Sequence, residues 1–213
     1  MIDPIIWIKT SLKPKLMSAG WLLLALYPLL LLSGCAGMVV GGAVGVGMAA
    51  TDRRTVGTLI EDQTIETKLL QALKDEPELN RQTHIQVTSY NQSVLLSGEA
   101  PTPELAEWAT RIARRIAKVK QVHNEIILSD PASFADRSRD TLLTTQVKTQ
   151  LLGVKLPDFY PIQIKVVTAN KTVFLMGLVN PREAEAVVDA VRQVGGVDLV
   201  VKLFEIGNYG AYP

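Results

Sequence analysis

The sequence contains two copies of one pattern, and a duplicated chain is constrained to fold the same way twice. In the first copy, 59–128, Ile65, Leu69 and Leu73 recur every four residues, the spacing of one buried helical face. Pro77 is expected to stop that helix. Ile85 and Val87 alternate with Gln86 and Thr88, the period of a half-buried strand. The turn Tyr90-Asn91-Gln92-Ser93 leads into a second strand, Val94-Leu95-Leu96-Ser97-Gly98. Pro101 and Pro103 open a helix that puts Leu105, Ala109, Ile112 and Ile116 on one face. Val119, Val122 and Ile126-Ile127-Leu128 close the copy as a third strand.

The second copy, 139–206, repeats the order. Leu143, Val147 and Leu151 match Ile65, Leu69 and Leu73, and Ile164 and Val166 match Ile85 and Val87. The turn Ala169-Asn170-Lys171-Thr172 precedes Val173-Phe174-Leu175-Met176-Gly177. Ala184, Val187, Val188 and Val191 form the next helix face, and Val197, Val200 and Phe204 belong to the last strand. Residues 129–138, with Pro131, read as a linker, and 207–213 as a tail. Each copy of about 70 residues is small but within the range that folds alone. The order helix, strand, strand, helix, strand predicts an α+β fold, a small mixed sheet with two helices on one face.

Composition excludes more than it assigns. The formal net charge is +1, so any electrostatic attraction must come from local patches. There is no metal-ligand spacing, no phosphate-binding glycine loop and no Gly-x-Ser-x-Gly, so no metal, cofactor or enzyme activity is expected. His84 and His123 have no nucleophile or carboxylate at motif spacing, so no catalytic residue is assigned. Nucleic acid is not expected as a partner, because the aromatic stacking platforms are missing.

The amino-terminal 34 residues read as an export signal. Lys9, Lys13 and Lys15 precede an apolar run from Trp21 to Leu32. That run is about a dozen residues, short of the roughly 20 that span a bilayer as a helix. Leu32-Ser33-Gly34-Cys35 then resembles the bacterial lipobox, and Cys35 is the only cysteine. The resemblance implies cleavage before Cys35 and acyl chains on it. Residues 35–58 read as a glycine-rich tether, in which Gly37, Gly41 and Gly45 would line up on a helix. A compliant leash and a helix-pairing or membrane-hugging stripe are both compatible with that spacing.

The repeat itself, with its two strand-to-glycine segments ending at Gly98 and Gly177, resembles the BON domain. Ala50-Thr51-Asp52, Val56-Gly57-Thr58 and 173–179 are similar to outer-membrane lipoproteins carrying two such domains. The copies depart from each other at Glu99, where the second has Leu178, and at Asn124, matched by Lys202. The resemblance implies a non-enzymatic protein that binds phospholipid and supports envelope integrity. With Ala36 after Cys35, it also implies the periplasmic face of the outer membrane.

Comparing the copies points to a surface without help from the family. On the first helix of copy one, the stripe opposite the core is Thr64, Thr67, Gln71 and Lys74, all polar. In copy two the same positions are Leu142, Thr145, Thr149 and Leu152. Lys148 lies beside them, and Arg137 and Arg139 stand at the expected helix start. An apolar stripe flanked by cations suits docking onto anionic phospholipid. The family resemblance, which implies that the first helix of the second domain is the lipid-facing one, favours that reading, and the set it leads us to expect at lipid is Arg139, Leu142, Leu143, Thr145, Gln146, Lys148, Thr149 and Leu152. The same leucines could instead pack against the other copy or the linker, stand as scattered surface leucines, or contact an outer-membrane assembly protein. A second cationic surface is Arg111, Arg114, Arg115 and Lys118 with Trp108 at its edge, readable as a membrane face or as a solvated face with Trp108 closing the core. Asp62 and Asp140 read as helix-capping or helix-dipole carboxylates. Gly98 and Gly177 are expected to end their strands where the backbone needs a special φ or close packing.

Overall fold

In the computed structural model, which describes residues 51–209, most helices begin at a residue whose side chain accepts from the first turn. Thr55 caps α1 (Val56–Lys74), Thr102 caps α3 (Pro103–Arg115), Ser133 caps α4 (Phe134–Leu151) and Asn180 caps α5 (Pro181–Arg192). Proline occupies the first turn of α3 and α5, where its missing N–H is not needed. Pro77 does stop α1, but it also opens a short helix, α2 (Pro77–Gln82). The strands are β1 (His84–Tyr90), β2 (Ser93–Ala100) and β3 (Gln121–Leu128), then β4 (Ile164–Ala169), β5 (Thr172–Val179) and β6 (Leu199–Ile206).

Each copy folds as an α+β unit around a three-stranded mixed sheet, as the repeat predicts. β2 pairs antiparallel with β1 and parallel with β3; β5 does the same with β4 and β6. Helices cover one face of each sheet. The first core gathers Ile65, Leu69 and Leu73 from α1 with Val94 and Leu96 from β2 and Ala109 from α3. The second gathers Val147 and Leu151 from α4 with Val173, Leu175 and Val187.

Four positions correct the sequence reading. α1 and α4 start earlier than expected, at Val56 and Phe134, so α4 takes up part of the expected linker. Asp62 and Asp140 therefore sit well inside their helices, are buried, and cap nothing. Asp62 accepts from the backbone N–H of Asn91 and Gln92 at 2.8 and 2.7 Å and from the Ser89 hydroxyl. Asp140 accepts from Asn170 and Lys171 N–H at 2.8 and 3.0 Å. Those turn residues all have positive φ, from 47° to 69°, which points their N–H groups away from the strands. The carboxylate on the helix thus fastens the hairpin. Gly98 and Gly177 do not end their strands, which run two residues further. Gly98 has φ +101°, and a Cβ there would lie 2.0 Å from the His84 carbonyl oxygen. Gly177 has ordinary φ, but a Cβ would press on Ile164 at 2.9 Å.

The two sheets meet through the faces that carry no helix. Tyr90 and Leu95 join Val167, Phe174, Met176 and Leu178 in a third apolar cluster. The hairpin of each copy reaches the far end of the other. The Tyr90 hydroxyl donates to the Gln163 carbonyl at 2.8 Å, and the Asn91 amide donates to Glu205. At the opposite end the Asn170 amide donates to Glu99 at 2.7 Å, and His84 Nδ1 lies 3.0 Å from the same carboxylate.

Residues 51–54 strap the two copies together. The Arg53 guanidinium forks onto Glu183 at 2.6 and 2.7 Å and donates to the Leu178 carbonyl at 2.7 Å. Arg54 pairs with Asp52 and Asp62 and stacks 3.9 Å from the Tyr90 ring centre. Burial beneath this cover pushes the Tyr90 phenol up to about 12. Both helix-covered cores, the cluster between the sheets and the strap are built from residues of the stretch 51–209.

Two outcomes follow from these carboxylates. Arg53→Ala strands a buried Glu183 charge and is expected to lower the unfolding free energy by about 3 kcal/mol. The pair Arg53→Met with Glu183→Gln, which removes both charges and keeps a side-chain oxygen for the Asn180 N–H, should recover most of that loss in denaturant titration. Asp140→Ala leaves two turn N–H groups without an acceptor and should cost about 2 kcal/mol. A loss no larger than that of an exposed-site control would contradict the anchoring role.

Candidate functional site

α4 presents two sides of opposite character. Toward the sheet lie Leu143, Val147 and Leu151, with Leu143 only 6% exposed. Leu143 is therefore a core residue and leaves the set expected to meet lipid. Its place in the i, i+4, i+8 series is what buries it. On the outward side Leu142 is 64% and Leu152 63% exposed. Neither belongs to the apolar cluster through which the two sheets meet.

Phe134 belongs to the same outward stripe and is 78% exposed. Sequence reasoning missed it because the helix was started at Arg139. Ser133 followed three residues later by Asp136 was the available signal. The earlier start also corrects the contrast between copies. Val56 stands in α1 where Phe134 stands in α4, and Val56 and Ile60 are exposed. From Thr64 onward the α1 stripe is polar and exposed, as expected. The contrast between the copies narrows to Leu142 and Leu152 against Thr64 and Lys74, and runs the other way at Ile60, which is exposed in copy one where copy two has Ser138.

The polar residues of the α4 stripe make few outward demands. Thr145 and Thr149 are exposed, yet their hydroxyls donate to the carbonyls of Thr141 and Thr145 at 3.1 and 2.9 Å. A hydroxyl already bonded to its own helix costs less to take out of water. Gln146 is exposed beside them. Arg139 is exposed but engaged with Asp136, whose carboxyl is held below its usual range, chiefly by the Ser133 hydroxyl. Lys148 is exposed and makes no ion pair among the described residues. Cys35 and the glycine stripe lie outside the described residues.

The second cationic surface does not assemble as expected. α3 ends at Arg115, and Lys118, at φ +74°, lies beyond it and pairs with Glu61 at 3.6 Å. Trp108 packs against the first core. The two histidines have structural partners: His84 at Glu99, and His123 Nε2 3.2 Å from the Ser93 hydroxyl, with burial lowering its pKa. Among the described residues no group of three His, Cys, Asp or Glu could hold a metal. No helix among them is long and apolar enough to cross a membrane.

Comparison with known proteins bears on this architecture. The BON domain model matches residues 61–130 and again 139–208. The chain is 37% identical over 177 residues to the outer membrane lipoprotein DolP of Haemophilus influenzae, covering 82% of this chain and 89% of that one. It is 33% identical to the 21 kDa hemolysin of Actinobacillus pleuropneumoniae, over 71% of this chain and 77% of that protein. It is 30% identical to osmotically-inducible protein Y of Escherichia coli K12, over 67% and 72%. Two family matches, falling on two copies of one α+β unit, place this chain in the BON-domain family, as a tandem-domain member that is not an enzyme.

Proposed function

We propose that this chain is an outer-membrane lipoprotein, anchored through Cys35 at the periplasmic face, whose second BON domain docks onto anionic phospholipid along α4. The observation that carries this reading is the outward stripe of Phe134, Leu142 and Leu152, three large apolar side chains left in water on one side of α4. The name of the relative, an outer membrane lipoprotein, and the lipobox-like Leu32-Ser33-Gly34-Cys35 support the location.

Magnitudes say what kind of binding this would be. An apolar side chain of this size gives roughly 1.5–3 kcal/mol on full burial, and a base near an anionic surface about 1 kcal/mol. Three such side chains and Lys148 are set against about 4–15 kcal/mol for immobilising a free protein. The sum is weak binding by a free domain. Acyl chains on Cys35 would keep the domain at high local concentration beside the bilayer, where weak selectivity suffices. A contact with the outer-membrane assembly machinery through the same leucines is the competing outcome of the test.

The stretch from Thr51 onward should bind vesicles containing phosphatidylglycerol, and binding should weaken as salt rises. Leu142→Glu should reduce it at least about tenfold while leaving the unfolding transition in place. Affinity indifferent to that substitution and to salt would remove the lipid-docking role.

A further inference from the structure

The segment between the first helix and first strand differs between the copies in a way the shared fold does not require. In copy one it is α2, Pro-Glu-Leu-Asn-Arg-Gln, with Leu79 as its only buried residue. In copy two it runs Gly153-Val154-Lys155-Leu156-Pro157-Asp158-Phe159-Tyr160-Pro161-Ile162-Gln163, without a regular element until a single 3-10 turn at Pro161–Gln163. Phe159 is buried in the second core as Leu79 is in the first. Val154 and Leu156 pack against the second core as well, which leaves Tyr160 and Ile162, 48% and 40% exposed, as the added apolar side chains turned to water.

Charge changes with them. From Lys148 to Lys165 there are three lysines against Asp158, a net +2. The matching stretch of copy one, 70–86, has Lys74 and Arg81 against Asp75, Glu76 and Glu78, a net −1. Geometry then joins the segment to α4. Leu152, Pro161 and Ile162 line a cleft of about 330 Å³ with Lys148 and Lys165. Lys165 is also 3.6 Å from Glu66.

The segment is held in place rather than left to fold on contact. Gln163 donates through its amide to the Thr51 carbonyl at 2.9 Å, and its side-chain oxygen accepts from Tyr160 N–H at 3.2 Å. Arg53 donates to the Asp158 carbonyl at 3.3 Å. The exposed apolar side chains are therefore displayed on a preorganised loop, which lowers the ordering penalty of binding.

We infer that Leu152, Tyr160 and Ile162 form a second membrane-contacting lobe, which takes the glycerophosphate level of an anionic phospholipid bilayer with Lys148 and Lys165 facing its phosphates. The inference rests on the α4 docking reading and extends it past the end of the helix. An aliphatic pair beside a tyrosine and flanked by lysines is the composition of an interfacial anchor.

The test uses the stretch from Thr51 onward and vesicles of phosphatidylglycerol and phosphatidylethanolamine. The double variant Tyr160→Ser with Ile162→Ser is expected to weaken binding at least about tenfold without moving the unfolding transition. In a Trp108→Phe background, Tyr160→Trp should be quenched by brominated phosphatidylglycerol. If Leu142→Glu weakens binding while the double variant binds like the parent and Tyr160→Trp is not quenched, the second lobe is overturned and α4 docking stands. If Leu142→Glu is also without effect, both fall.

Discussion

A three-stranded sheet with helices on one face leaves its other face open to water, and this protein closes that face with a second copy of itself. The contact between the sheets is what the rest depends on. It lets two domains of about 70 residues each, near the lower limit for an independent core, share a third apolar cluster around Tyr90, Leu95, Phe174 and Met176. It also settles which surfaces stay outside. With the sheet faces consumed, α4 is left to solvent, and its exposed leucines are not a by-product of domain pairing.

The pairing explains the departures between the copies. Glu99 and Leu178 occupy matching strand positions, as do Tyr90 and Ala169 at the hairpins. At one end the large Tyr90 ring meets Leu178 and the apolar cluster; at the other the Asn170 amide reaches Glu99, which also faces His84. Each end is complementary, the first through the Tyr90 ring and its hydroxyl bond to Gln163, the second through the Asn170–Glu99 hydrogen bond. A copy paired with its own duplicate would set Glu99 against Tyr90 and lose both matches. Divergence has made the two ends unlike, favouring one heterologous pairing within the chain.

Much of this was legible in the residues. The repeat, the strand order and the core faces followed from periods of four and two, because a side chain that must reach the core has to recur at the period of its element. Leu142 and Leu152 were legible as exposed for the same reason. What was hidden were helix starts and contacts distant in sequence. Starting α4 at Arg139 lost Phe134, and starting α1 late made Asp62 look like a cap. Its true partners, Asn91 and Gln92, lie some thirty positions away and act through backbone N–H groups, which leave no side-chain signature. Leu143 fits both the core spacing and the outward set by sequence alone; burial gives it to the core. The Arg53–Glu183 pair spans 130 residues, beyond the reach of any local pattern.

That pair has a mechanical consequence. Tension arriving from the residues before Thr51 does not reach α1 first. It meets Gln163 at the Thr51 carbonyl, then the forked Arg53–Glu183 bond, and so enters the second domain before the first helix can be peeled from its end. A force applied at this entry point therefore meets the second domain's hydrogen bonds before it can unwind α1 from its amino-terminal end.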